Sequence, residues 1–274
     1  MGQAKRKDKP EATPDTNPPK GDGVRAQASE AWQAPQRVPR VSVYVIAATV
    51  LIVNLPLLHY FLFRGAPPVT VSLPFQDDYS NPATVATNYW SSGGLWRTVD
   101  GWLLSPGVKN NPLWLKASLP QDVAVEFDVR SLSPEGDIKC EIFGDGSDHA
   151  SGYVLIHGGW NNSISIIARL DEHAPSLNVL SAEAAKRGGD LVSSGVYNAG
   201  TRVRVEANPY KVEVGRTYHW RIERRGRVLS WFIDGQLFMS FDDPFPLAGK
   251  GHDRFGFSSW EAQLFFDNLR VTPL

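Results

Sequence analysis

A single long hydrophobic run, residues 41–63, constrains this chain more than any other feature of its sequence. The run reads VSVYVIAATVLIVNLPLLHYFLF, contains no charged side chain, and is flanked by Arg40 and Arg64. A helix rises about 1.5 Å per residue, so a run of this length spans roughly 34 Å, enough to cross a bilayer core of about 30 Å. The run therefore predicts one transmembrane helix at Val41–Phe63, which tolerates Asn54 and Pro56 as interruptions.

The flanks of the run indicate an uncleaved signal anchor rather than a signal peptide. A signal peptide has a short basic leader, an apolar core of about 7–15 residues and a small-residue cleavage site. Here a leader of 40 residues precedes a longer run, and FRGAPP follows it as a poor cleavage context. The leader carries eight Lys or Arg against five acids, whereas Arg64 is the only basic residue after the run until Arg97. The positive-inside rule then predicts a cytoplasmic N-terminus and a periplasmic or extracellular C-terminal part.

Residues 1–40 differ in composition from the rest of the chain. They contain six prolines, few large apolar residues and mixed charge. Such a segment buries too little apolar surface to offset the entropy lost on ordering. It is therefore predicted to be a disordered, basic cytoplasmic tail.

The remainder divides into a tether, residues 64–70, and one domain, residues 71–274, a length typical of a single domain. Short runs in this domain alternate apolar and polar residues, as half-buried strands do. They lie at residues 123–130, 138–142, 153–157, 164–170, 217–224, 228–233, 236–241, 254–260 and 264–271. Asp234-Gly235 is a strong two-residue hairpin signal, and SAEAAK at 181–186 predicts one or two helical turns. The fold class expected is all-β, a two-sheet antiparallel sandwich.

Charge and cysteine content narrow the class of partner and the compartment. Residues 65–274 carry a net charge of about −5, which argues against nucleic acid because phosphate binding needs a basic face. The single cysteine, Cys140, alternates with Ile138 and Ile142, which predicts a buried core thiol. A domain without a disulfide is compatible with a bacterial periplasm and points to the bacterial envelope.

Several short motifs, in this order, resemble those of the concanavalin A-like lectin/glucanase superfamily. They are FQDDYS (75–80), GLWRTVDGWL (94–103), VEFDVR (125–130), the hairpin WFIDG (231–235) and the closing FFDNLRV (265–271). The domain looks particularly like the bacterial sandwiches grouped with 3-keto-disaccharide hydrolases, and like laminin-G-type modules. The resemblance implies a jelly-roll sandwich of two sheets with six or seven strands each, and a sugar site on the concave face or its loops. It does not decide between lectins, glycosidases and structural spacers.

Three carboxylates are the candidates for catalysis. Glu126 and Asp128 lie two residues apart and so share one face of a strand. If the next strand is a neighbour in the sheet, Glu141 faces the same way. The family's glucanases place a nucleophile, an assisting Asp and a general acid on such a strand, but here Arg130 or Ser131 stands where the second Glu would be. Two alternatives to a glucanase mechanism stay open: the carboxylates belong to a solvated charged face, or they contact a bound sugar.

Two loops supply further candidates. Asp145 and Asp148, in a Gly-rich loop, are candidate ligands for Ca²⁺, a hard ion that prefers oxygen; the alternative is a plain turn, because Asp, Gly and Ser are ordinary turn residues. Trp160, flanked by Gly and Asn, is a candidate platform for a sugar ring, with rim packing as its alternative. The predicted carbohydrate-binding residues are Glu126, Asp128, Glu141, His157, Trp160, Asn161 and Arg169.

These observations predict a single-pass membrane protein whose lectin-like domain binds a glycan or an envelope protein, without chemistry. One alternative is a glycoside hydrolase that acts on a disaccharide or polysaccharide. Another is a structural or docking module of an envelope assembly. No cofactor other than the candidate Ca²⁺ is predicted.

Overall fold

The computed structural model describes residues 37–63, 67–91, 93–207 and 210–274. The predicted disordered tail lies almost entirely outside these residues, as does the first part of the tether. The hydrophobic run and the domain that follows are described separately below.

The hydrophobic run forms one helix, α1 (Arg40–Phe63). Residues 40–59 have a mean hydropathy of 2.3, and none of the most apolar window is buried against protein. The polar groups in it are satisfied within the helix, because Asn54 Nδ2 donates to the Val50 carbonyl (2.7 Å) and the Thr49 hydroxyl donates to the Val45 carbonyl (2.9 Å). By length and composition, α1 is able to cross a membrane.

The domain is a sandwich of two antiparallel sheets, consistent with a jelly roll, as the alternating runs predict. Sheet A has the order β13 (Gln236–Asp242), β12 (Val228–Ile233), β11 (Thr217–Arg225), β6 (Val123–Ser131), β15 (Leu264–Pro273), β4 (Trp102–Ser105) and β3 (Arg97–Val99), with β1 (Phe75–Asp77) also paired to β15. Sheet B has the order β10 (Val203–Ala207), β9 (Ile164–Arg169), β8 (Tyr153–Gly158), β7 (Ile138–Gly144), β14 (Arg254–Ser258), β5 (Leu113–Leu115) and β2 (Tyr89–Ser91). Sheet A, with eight strands, is thus larger than the six or seven expected.

The core lies between the sheets and is rich in aromatic rings. Phe127 of β6 packs on Trp220 of β11 with ring centroids 5.4 Å apart, and Trp220 packs on Trp231 at 4.4 Å. Aromatic pairs at such distances add to the energy of area burial. Cys140 is fully buried in this core, as predicted.

The connections contain three short helical segments, α2 (Ala83–Asn88), α3 (Gly159–Asn162) and α4 (Leu177–Lys186). Helix α4 begins earlier than the predicted 181–186, because Leu180 and Ala184 bury one face of it. The hairpin at Asp234-Gly235 is confirmed, with φ of 52° and 77°, the left-handed values that a type I′ turn requires.

Candidate functional site

The predicted carboxylate cluster is wrong, because its members belong to different sheets. Strand β6 lies in sheet A, whereas β7, which carries Glu141, lies in sheet B. Glu126 faces solvent on the outer side of sheet A and pairs with Arg221 at 2.9 Å. Asp128 on the same face contacts His219 Nδ1 at 2.8 Å and accepts a hydrogen bond from Asn268 Nδ2 at 2.8 Å. Glu126 is thus in an ion pair and Asp128 in hydrogen bonds on this partly exposed face of sheet A.

His157 does not reach solvent, which corrects its assignment as a sugar contact. It is fully buried on the face of β8 that also carries Tyr153 and Leu155. Its ring stacks on Tyr210 at 5.0 Å, and its Nε2 lies 2.8 Å from the Tyr210 carbonyl oxygen. Burial disfavours the charged imidazolium and lowers the pKa of His157 to about 4. The residue is therefore a neutral core histidine at physiological pH.

Arg169 is likewise buried rather than exposed in a binding face. Its Nε donates to Asp243 Oδ2 at 2.7 Å, and its remaining nitrogens donate to three backbone carbonyls, those of Thr201, Ala199 and Phe245. All of these distances are 2.9 Å or less, so every nitrogen of the guanidinium has at least one acceptor. Arg169 therefore holds loops together and is unavailable to a ligand.

The Gly-rich loop with Asp145 and Asp148 has the hydrogen bonds of a turn. Asp145 Oδ1 accepts from the backbone N–H groups of Ser147 (2.7 Å) and Asp148 (2.8 Å), and from the Ser151 hydroxyl (3.0 Å). Among the residues that the structure describes, no group of three or more His, Cys, Asp or Glu side chains is arranged to hold a metal ion. The Ca²⁺ assignment stays a prediction, with Asp145 already engaged in shaping its own loop.

Trp160 stands on a strained turn between β8 and β9. Trp160, Asn161 and Asn162 all have φ between 49° and 59°, the left-handed region that costs about 1–2 kcal/mol for a residue such as Trp and less for Asn, whose short polar side chain bonds locally. The Asn162 side chain supports the turn by bonding both backbone groups of Val212, each at 2.8 Å. Such strain persists only where the surroundings impose it, and it clusters at functional sites.

This turn forms one wall of a cleft on the outer face of sheet B, called here the tryptophan cleft. The cleft has a volume of about 380 Å³. Trp160 and Trp260 both line it, with 40% and 48% of their surfaces exposed. Its other lining residues are Asn110, Glu135, Asp137, Lys139, Ile156, Asn161, Glu172, His173, Glu261 and Ala262.

A buried chain of charges forms the floor of the cleft. Lys139 Nζ donates to Glu172 Oε2 and to Asn110 Oδ1, both at 3.0 Å. His149 connects the two carboxylates of the chain, because its Nδ1 lies 2.6 Å from Glu141 Oε1 and its Nε2 lies 3.4 Å from Glu172 Oε2. Glu141 is fully buried beneath the cleft, so it supports the floor and does not present an oxygen to a ligand.

The pKa values in this floor follow from burial and pairing. Burial alone lowers the pKa of His149, but its hydrogen bonds to Glu141 and Glu172 outweigh this and raise it to about 9. Burial alone raises the pKa of Glu172, but His149 and Lys139 outweigh it and lower it to about 2. Burial raises the pKa of Asp137, against the attraction of Lys139. At neutral pH His149 is therefore protonated and Glu172 is ionised.

A second depression adjoins the cleft and shares Trp160 as a wall. This β10 groove, of about 690 Å³, lies between strand β10 and the start of helix α4. Arg204 of β10 lies in it, with its guanidinium 5.4 Å from the centre of the Trp160 ring. The ring edge of His173 packs on Trp160 from the cleft side, at 5.6 Å. Trp160 is thus fixed between two depressions.

The structure places Trp160 and Asn161 in the tryptophan cleft. Both residues were predicted to contact a sugar. Sequence reasoning missed Trp260, Asp137, Lys139 and Glu172. A signal existed for Trp260, which ends the predicted strand 254–260 and precedes Glu261, as an exposed rim residue would. Asp137 and Lys139 lie two residues apart at the start of β7, whereas Glu172 comes from the segment after β9, and nothing local in the sequence joins it to them.

No protein-family model and no curated protein sequence matches this chain. Among solved structures, the chain is similar to the carbohydrate-binding module CBM66 from Bacillus subtilis, at 14% identity and a TM-score of 0.46, over 68% of this chain and 95% of that one. It is also similar to a Bacillus licheniformis β-glucanase, at 11% identity and a TM-score of 0.48, over 75% and 100%. A galectin of Caenorhabditis elegans matches at 8% identity and a TM-score of 0.37, over 57% and 85%. At these values the likeness concerns the sandwich arrangement alone.

Proposed function

We propose that the sandwich domain binds a glycan in the tryptophan cleft, without chemistry. The observation that carries the proposal is the pair of exposed indoles, Trp160 and Trp260, lining one cleft with a fixed polar floor. Tryptophan is highly buried on average, and partly exposed indoles are enriched where one side of the ring meets a binding partner. Here two of them border the same small volume.

The chemistry of the cleft suits a sugar. An indole offers its face to the C–H groups of a pyranose ring, while carboxylate, amide and ammonium groups bond to the hydroxyls. The side chains of Asn110 and Asp137 supply such groups at the floor, where the buried Lys139 donates to Asn110 Oδ1 at 3.0 Å and lies 4.0 Å from Asp137. Their ion pairs and hydrogen bonds hold them in place before binding, which lowers the entropy cost of association.

One observation favours a glycoside hydrolase as the second candidate. Asp137 and Glu172 line the same cleft on either side of Lys139, and their pKa values shift in opposite directions. Paired carboxyl groups with divergent pKa values serve as acid and base in such enzymes. Against this, Glu172 already pairs with Lys139 and His149. The predicted glucanase residues Glu126 and Glu141 lie on different sheets.

The binding proposal predicts a large effect of Trp160→Ala. We expect full-length protein, in a detergent whose head group is not a sugar, to bind one class of glycan on an array of neutral and acidic oligosaccharides. Trp160→Ala and Trp260→Ala should each weaken this binding at least about tenfold, which corresponds to roughly 1.4 kcal/mol.

The matched control is Trp102→Ala, because Trp102 lies on the other sheet, where Arg130 stacks on it at 4.4 Å. It should bind as the unmodified chain does. If no glycan on the array binds, the proposal is overturned and a docking module is favoured. Release of reducing ends that stops in Asp137→Asn would favour the hydrolase.

We further propose that α1 anchors the protein in a bacterial membrane as a single-pass signal anchor, with the sandwich in the periplasm or outside the cell. The length and hydropathy of α1 support the anchor, and the basic residues before it support the orientation. The envelope-protein partner remains an alternative ligand in this proposal.

A reporter fusion tests the orientation. Alkaline phosphatase fused after Leu274 should be active in a bacterial host, because it folds only after export. Green fluorescent protein at the same place, exported through the same route, should be dark. Fusion after Arg40 is the control and should reverse both results. Phosphatase that is inactive after Leu274 would contradict the orientation.

A further inference from the structure

We infer that the glycan is an extended, uncharged chain that occupies the tryptophan cleft and the β10 groove together. This inference rests on the proposed function and adds the length and charge of the ligand to it.

The argument for length comes from the position of Trp160. Its indole is exposed and is a wall of both depressions. Contacts with His173 and Arg204, at 5.6 and 5.4 Å, hold the ring between them. A mono- or disaccharide fills one depression and leaves the other to water. A longer chain that passes over Trp160 contacts both, and each further sugar adds buried surface without a second loss of translational freedom.

Trp260 also favours a long ligand, because it offers a second indole in the cleft, outside the β10 groove. It lines the cleft but not the β10 groove, and its backbone N–H donates to Asp137 Oδ2 at 2.8 Å. This bond holds the loop that carries the second indole. The two indoles and the β10 groove therefore offer stacking and bonding positions along a path, which suits an internal stretch of a chain.

The argument for an uncharged chain comes from the cations in the two depressions. Lys139 is 3.0 Å from Glu172, and Arg204 is 2.6 Å from Glu206, so each already has a carboxylate partner. Two lining carboxylates are less well compensated. Asp137 is 4.0 Å from Lys139, and Glu135 has no ion-pair partner among the described residues. A uronate, sialate or sulfate group would meet these carboxylates without an available cation, which opposes its binding.

A chain-length series tests the inference. The probes are neutral gluco- and chito-oligosaccharides of two to six units, and oligogalacturonates of the same lengths, titrated into the full-length protein in the same detergent. We expect affinity for the bound neutral series to rise at least about tenfold from the dimer to the longest chain. The oligogalacturonates should bind at least about tenfold more weakly at every length.

A variant that fills the β10 groove tests whether longer chains gain affinity because they occupy that groove. Asn178, at the start of α4, is exposed and lines this groove. Asn178→Trp should abolish the gain for longer chains and leave dimer affinity unchanged. Ser181→Trp, on the same helix but outside both depressions, should behave as the unmodified chain does. Thermal unfolding of each variant confirms that it is folded.

The outcomes distinguish a failure of the inferred extended, uncharged ligand from a failure of the proposed glycan binding. An affinity that is the same from dimer to hexamer, or that is unaffected by Asn178→Trp, overturns the extended ligand and leaves glycan binding intact. Tight binding of oligogalacturonate overturns the uncharged ligand. Failure of every probe and of every glycan on the array to bind overturns the proposed function itself, and the inference with it.

Discussion

Replacing Arg169 with methionine should destabilise the sandwich by about 3–5 kcal/mol, the loss expected when one partner of a buried ion pair is removed. Arg169 and Asp243 are both almost completely buried, and they pair at 2.7 Å. The variant leaves the Asp243 carboxylate buried with only its other donors. Those include the hydroxyls of Tyr153 (2.6 Å) and Tyr197 (2.8 Å).

The Arg169→Met variant also loses stability because backbone carbonyls lose a hydrogen-bond donor. Three carbonyls, of Thr201, Ala199 and Phe245, lose the guanidinium as their donor. A buried acceptor without a partner costs about 1–3 kcal/mol. Arg169 therefore joins strand β9 to two loops at once, which a small side chain is too short to do.

Urea unfolding of the full-length protein, followed by tryptophan fluorescence, measures this prediction. The control is Arg227→Met, because Arg227 pairs with Asp242 on the exposed surface and such pairs contribute about 0–1 kcal/mol. The double variant Arg169→Met with Asp243→Asn should be more stable than Arg169→Met alone, since no unpaired charge stays buried. A loss below about 1 kcal/mol in the single variant would contradict the prediction.

Raising the pH from about 6.5 to above 9 should cost the domain up to about 3 kcal/mol through His149. The folded pKa of His149 is raised to about 9 from the usual histidine value of 6.5. The folded state therefore binds the proton more tightly than the unfolded state does. This contribution to stability is fully present below about pH 6.5 and is lost as pH rises through about 9.

Glu172 contributes to stability with the opposite pH dependence, so its contribution is lost when the pH is lowered. The folded pKa of Glu172 is lowered to about 2 from 4.5, so its contribution is present above about pH 4.5 and is lost as pH falls towards 2. His149 and Glu172 interact directly at 3.4 Å. Their contributions therefore describe a coupled pair, and they do not add.

Unfolding curves between pH 6 and 10 test the prediction, with His149→Gln as the comparison. The variant should lack the alkaline loss that the unmodified protein shows. Titration of the His149 ring by NMR should give its raised pKa directly. A wild-type stability curve parallel to that of His149→Gln through this window would show that the ion pairs of the floor contribute nothing.

Local patterns explain which predictions of the sandwich succeeded. The run beginning at Val123 alternates apolar and polar residues, and a period of two is itself the geometry of a strand. Asp234-Gly235 predicted its hairpin, since both residues tolerate the positive φ that the turn requires. The same logic, applied to Tyr153, Leu155 and His157, would have placed His157 in the core.

The predicted carboxylate cluster failed because sheet membership is not a local property. Glu126 and Glu141 lie on strands that follow each other along the chain, yet β6 pairs with β11 and β15 in sheet A, whereas β7 pairs with β8 and β14 in sheet B. In a sandwich, chain connections often cross between sheets. Proximity in sequence therefore does not imply proximity on a face.

The sequence by itself determined that one apolar helix precedes a β-rich domain, and that this domain has alternating strands with a buried Cys140. Those features depend on residues within a few positions of each other, through helix length and strand period. Only the tertiary structure decided that Trp160, Trp260, Lys139 and Glu172 meet in one cleft, and that Arg169 is buried beside Asp243. The physical reason is that these contacts join residues far apart in the chain, and their burial and charge exist only once the two sheets have packed.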